Sequence, residues 1–163
     1  MLRAMRARSG THRARFAVLS VVLVVTACQP TPINPAVDDW VECADCGRDA
    51  YERLVAVGTP AVPVLSDWLL NGPPSDRVER VRASTMRILA GSPAMSSARQ
   101  AAIVNKQLAD YARQYRRRSA LALGGIGGSD ALAALCRARL TASSLLERTV
   151  LDSAVGRTGR VCS

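Results

Sequence analysis

The side chains here that could do covalent chemistry are five cysteines: Cys28, Cys43, Cys46, Cys136 and Cys162. Cys43-Ala44-Asp45-Cys46 has the spacing at which two thiols can close and reopen a disulfide. Such a pair at a helix start can have a lowered thiol pKa, which is the chemistry of a thiol-disulfide oxidoreductase. Glu42, Asp45 and Asp49 oppose it, because neighbouring carboxylates raise the energy of a thiolate. No alternating strand and helix pattern surrounds the motif either, so a structural disulfide is the stronger reading and no metal site is expected.

What is missing limits the reactions further. The single histidine, His12, lies near the N-terminus, and Lys106 is the single lysine. Beyond residue 27 there is no imidazole for a triad, a proton shuttle or a His-type metal site. There is no phosphate-binding loop, and the glycines at 124 to 128 lack the strand that a dinucleotide fingerprint needs before them. These absences argue against an enzyme and for a protein without a cofactor. Arg116-Arg117-Arg118 is the one basic run that suggests binding, to a phosphate or an anionic surface. Three consecutive residues point to different faces of a helix, so the run also has a purely structural reading.

The first 27 residues carry Arg3, Arg6, Arg8, Arg13 and Arg15 with no acidic residue, followed by an apolar run from Phe16 to Val25. Ten residues are too few to span a bilayer, which takes ~20, but they suit the middle of an export signal. Val25-Thr26-Ala27-Cys28 then resembles the lipobox of bacterial lipoprotein precursors: an aliphatic residue, small residues and the cysteine that becomes the new N-terminus. The resemblance implies a signal peptide over 1–27, a lipid on Cys28, and attachment to a membrane of the cell envelope. Gln29, where an Asp would retain such a protein at the inner membrane, points to the outer membrane of a cell that has two. Two or more acyl chains would anchor the protein stably.

Removing that leader changes the charge. Residues 28 to 163 hold seventeen basic and thirteen acidic residues, a net of +4, which by itself does not suggest nucleic-acid binding. The charge is uneven, at −6 over residues 28 to 79 and +10 over residues 80 to 163. Aromatics after residue 27 are confined to Trp40, Trp68, Tyr51, Tyr111 and Tyr115, so the core must be built from Leu, Val, Ala and Ile, which favours helix packing. Trp68, beside Leu69 on an amphipathic stretch, reads as core.

The elements follow from periodicity and punctuation. Gln29 to Val37, with Pro30, Pro32 and Pro35, reads as an extended spacer, so that residues 28–44 are expected to form a lipidated tether and 45–163 a helical domain. Helices are expected over 48–57, over 60–70 with Thr59 as cap, and over 76–90. Residues 96–123 have no Gly or Pro, and fit one long helix or two meeting near Asp110. Ser129 can cap a helix to Leu140, and Ser144 with Glu147 forms a capping box for a last one.

Gly58, Gly91, Gly127 and Gly159 each follow an amphipathic helix at spacings of 33, 36 and 32. Laying Ala50–Leu69 beside Ser119–Leu140 with one gap aligns Leu54 with Leu123, Gly58 with Gly127, Val62 with Leu132 and Leu65 with Leu135. These segments, and above all RRRSALALGGIGG from Arg116 to Gly128, resemble HEAT-like repeats of the kind found in phycobilin lyase subunits. The resemblance implies an all-α fold, a short solenoid of helix pairs, with function in an exposed helix row. An irregular helical bundle would serve the same pattern. In a stacked repeat the first and third units lie too far apart for a disulfide, which implies pairing of Cys43 with Cys46 and of Cys136 with Cys162. The expected function is a membrane-tethered, protein-binding or scaffold module with a protein or peptide partner; the alternatives are the Cys43/Cys46 oxidoreductase and, by likeness to the lyases, a bilin lyase subunit.

Overall fold

In the computed structural model the described residues are 34–43, 47–91 and 94–162. They form α1 (Pro35–Glu42), α2 (Arg48–Val57), a 3-10 turn (Thr59–Ala61), α3 (Val62–Asn71), α4 (Ser75–Ala90), α5 (Ser97–Ile126), α6 (Gly128–Thr141) and α7 (Leu145–Arg157), with no strand among them. The all-α expectation therefore holds.

α1 corrects the expected tether. The Asn34 side chain accepts the Ala36 N–H at 2.9 Å and Pro35 occupies the first helical position. There a proline has no N–H to lose and its fixed φ already suits a helix. Val37 and Val41, one turn apart, are completely or almost completely buried, so the helical domain begins at Asn34 rather than residue 45. A proline counted as a sign of extended chain is instead a helix start.

The 3-10 turn contains Thr59, which makes no side-chain cap for α3, and α2 and α3 meet at 94°. Gly58 ends α2 at φ +69, a backbone conformation that a side chain would strain. The α3 sequence buries Val62, Leu65, Trp68 and Leu69, the spacing of one helix face, and Trp68 is core as expected.

α5 settles the open boundary: residues 97 to 126 form one unbroken 30-residue helix. α5 is the element on which α4 makes its main packing contacts. Its C-terminal half is the axis of the core, packed by α1, α2, α3, α6 and α7. The fit is close because Gly124 and Gly125 lie there. A Cβ on Gly124 would come within 2.7 Å of the Ala154 carbonyl oxygen of α7, and one on Gly125 would collide with the Tyr51 ring and with Val55 of α2.

α3 packs on α6 and α2 on α5. The segments taken as first and third units are thus direct neighbours rather than separated members of a stack. Three of the four aligned pairs also share environments. Leu54 and Leu123 are fully buried, as are Leu65 and Leu135, and Gly58 and Gly127 end their helices at φ +69 and +71.

The two later caps differ in detail. Gly127 occupies the cap position of α6 and Ser129 makes no capping bond. Ser144 does cap α7, accepting the Glu147 N–H at 3.2 Å, but the Glu147 carboxylate turns to the Ser143 N–H and hydroxyl, at 3.1 and 3.2 Å. These bonds outweigh the opposing effect of burial and hold the Glu147 carboxyl below its ordinary pKa.

Candidate binding groove and the buried network beside it

A groove of about 900 Å3 runs along α5 between α3 and α7, with Trp40 of α1 also in its lining. Its size falls within the ~300 to 1,000 Å3 of ordinary ligand clefts. Leu69 and Leu70 from α3, and Leu146 and Val150 from α7, supply apolar lining. Arg113, Arg116 and Arg117 supply one wall. These three sit at i, i+3 and i+4 on α5, where helical periodicity brings side chains onto one face.

The Arg116-Arg117-Arg118 run is therefore divided by the helix. Arg116 and Arg117 belong to the groove wall, whereas Arg118 turns mainly to α1. Its guanidinium donates to the carbonyls of Trp40, at 2.7 Å, and of Cys43, and lies 5.4 Å from the Trp40 ring centroid. The Trp40 indole N–H donates back to the Arg118 carbonyl at 3.3 Å. Arg118 thus satisfies carbonyls at the C-terminal end of α1, the end at which helices leave acceptors unpaired.

The cysteines divide similarly. Cys136 and Cys162 are bonded, with Cα atoms 5.6 Å apart, and join the tail to α6. Cys43 is also in a disulfide; Cys46, its expected partner, and Cys28 both lie outside the described residues. Cys43 is the residue that ends α1. The negative end of a helix dipole disfavours a thiolate, the opposite of what a reactive thiol needs.

Sequence reasoning missed the most connected polar group of the domain. Arg77, near the start of α4, has a side chain only 10% exposed and donates to Glu42 at 2.5 Å, to Asp38 at 2.7 Å and to the Tyr115 hydroxyl at 2.7 Å. Tyr111 and Tyr115 donate to Glu42 at 2.9 and 3.1 Å. Arg77 also stacks 5.3 Å from the Trp68 ring centroid, an arrangement in which the ring face favours a cation. Burial alone would weaken the Arg77 proton, but the bonds to Glu42 and Asp38 outweigh it, so the guanidinium stays charged beyond any ordinary arginine. Burial, then the bond to Glu42, raises the Tyr111 pKa; burial and the charge of Glu42 raise that of Tyr115. The signal was present as Asp38 and Glu42 at i and i+4, but it lay in residues read as spacer.

Among the described residues no three His, Cys, Asp or Glu side chains converge on a metal-sized site, and no single helix is long and apolar enough to cross a membrane. Comparison with known protein families, with curated proteins and with solved structures finds no match to this chain.

Proposed function

We propose that this chain is a lipid-anchored protein of the bacterial cell envelope whose helical domain is a non-enzymatic binding module. Cys28 carries the lipid, and the groove along α5 receives a protein or peptide partner. The groove carries the binding part of this reading: leucines from two flanking helices face a wall of arginines, a mostly apolar surface with a few placed charges. The anchoring part rests on the basic start, the short apolar run and Val25-Thr26-Ala27-Cys28. With α1 inside the domain, residues 29 to 33 are all that separate Cys28 from Asn34. Five extended residues reach ~15 Å, so the anchored domain would work close to the membrane.

The finer fold we propose is HEAT-like. One unit is α2 with α3, its neighbour is the C-terminal half of α5 with α6, and α7 is a half unit. Its support is the direct packing of α3 on α6 and of α2 on α5, and the matching burial of the aligned leucines. In this reading α4 and the first half of α5 are a hairpin inserted between two repeats. The right-angled α2–α3 turn departs from a simple antiparallel pair. The position of Cys43 at the end of α1 counts against the oxidoreductase alternative.

The test is site-specific photocrosslinking in cells, with the reactive residue at Leu146 or Arg117 in the groove, or at Arg53 on α2. Discrete adducts from the groove positions but not from Arg53 are expected. The same residues in a Cys28→Ser protein, released from the membrane, should lose those adducts that need tethering. Equal labelling from all three positions removes the groove as a binding site, and a Cys28→Ser protein that stays membrane-bound removes the lipid anchor.

A further inference from the structure

We infer that the occupant of the groove is an acidic amphipathic segment of a partner protein, with carboxylates about one helical turn apart and aliphatic side chains between them. The inference rests on the binding-module reading above and names the chemistry of the partner at that site.

The charge pattern gives one half of it. Arg116 and Arg117 are exposed and form no ion pair with a described residue, while Arg113 pairs with Asp110 on its own helix. The one carboxylate in the lining is Glu147, whose side chain already accepts from Ser143. Arg116 lies close enough to Glu147 to help hold its carboxyl pKa down, but the bonds of that carboxylate go to Ser143, so neither guanidinium facing the groove is engaged in an ion pair among the described residues. Arginine presents a planar fork of donors that matches a carboxylate with two parallel bonds. A partner with acids at i and i+3 or i+4 would meet that wall in register.

The apolar pattern gives the other half. Leu146, in the lining, is 72% exposed, and Leu140 and Leu145, close to lining residues in sequence, are 87% and 82% exposed. Leu146, bare to water in the same lining as the arginines, makes the kind of apolar patch that an interaction covers. A segment with only acids would leave those leucines exposed, and one with only leucines would bury the arginines without partners, which is unfavourable. The concave shape selects a protein segment over a bilayer. Side chains inserted between α3 and α7 reach Leu70 and Val150 in the same groove as the arginines, the manner of a helix seated in a groove.

The experiment is selection of a random dodecapeptide library, displayed on phage, against the full chain, with counter-selection on Arg116→Gln/Arg117→Gln. Enriched peptides are then synthesised and their affinities measured by fluorescence anisotropy. They should be rich in Asp or Glu together with Leu or Ile. Their affinity should fall about tenfold or more in the double arginine variant, weaken as salt is raised, and be lost in Leu146→Glu. Both arginines are exposed, so the double variant should unfold at the temperature of the wild type, which is measured alongside. Groove-dependent peptides without acidic bias overturn this inference and leave the binding module standing. No groove-dependent peptide at all removes both. Phosphatidylglycerol vesicles that bind the wild type but not the arginine variant, and displace the peptides, mark a lipid-facing surface and overturn the inference.

Discussion

Arg77 is the residue on which the N-terminal part of the domain depends. It joins α1, through Asp38 and Glu42, to the Tyr115 ring of α5 and the Trp68 ring of α3. Removing one member of a buried ion pair costs about 3 to 5 kcal/mol because the remaining charge is stranded. Asp38 and Glu42 are each more than a third exposed, so water can take over part of that role and the cost falls to the low end of that range or below it. Arg77→Met should therefore lower stability by about 2 to 3 kcal/mol in urea unfolding, with α1 the most affected element in hydrogen exchange. The two tyrosines add a pH dependence. Their folded pKa values are raised above the ordinary 10.0, so stability from this source is complete below pH 10. It is lost as pH rises further, because the phenols of the unfolded chain ionise while those of the native chain resist. Tyr111→Phe/Tyr115→Phe should flatten this alkaline decline, and an unchanged slope would place its origin elsewhere.

Among the elements, α5 was the one the sequence left open, and it is the one that organises the rest. Residues 96 to 123 showed helix plainly, but their continuity across Asp110 goes with the packing of six other helices on α5. No window of sequence reports that. In sequence alone a double glycine reads as a turn. Gly127 is indeed a turn residue at φ +71, but Gly124 and Gly125 lie within α5 and serve close approach. Gly124→Ala sets two effects against each other. Helix propensity favours alanine by about 1 kcal/mol, while overpacking costs about 1 to 3 kcal/mol. Since the atoms in the way include the Ala154 backbone, which cannot rotate aside, overpacking should win and the melting temperature should fall. Gly125→Ala meets the Tyr51 ring and the Val55 side chain, which can move, and should be milder. Helix α1 was misread for a related reason. Pro35 has the same φ preference in an extended chain as at a helix start, and only the burial of Val37 and Val41 decides between them. By contrast, α2 fell where its pattern placed it, because Arg48 to Val57 has both a clear apolar stripe and the terminating Gly58.

For the molecule as a whole, the legible part was composition, helical class and the Cys136–Cys162 pairing; the groove was not. Its walls come from α3, α5, the end of α6 and α7, which come together only after folding, and of its arginines sequence flagged Arg116, Arg117 and Arg118 but passed over Arg113. The disulfide closes 26 residues, from α6 to the tail. By the entropy removed from the unfolded chain, a loop of that size is worth about 3 kcal/mol. Cys136→Ser/Cys162→Ser should thus melt measurably lower than the wild type, and the two should melt together once reductant has opened the disulfides in both. An equal melting temperature before reduction would mean that packing on α5 and α6 suffices to hold α7. A mechanical consequence follows for a chain held at one end. Any pull toward residue 33 enters the domain through Asn34 and must strip α1 off α5 against the Arg77 and Arg118 bonds together, whereas α7 and the tail cannot be peeled beyond the covalent link to α6. Force would therefore release α1 first and reach the Trp40 edge of the groove before the rest of the fold yields.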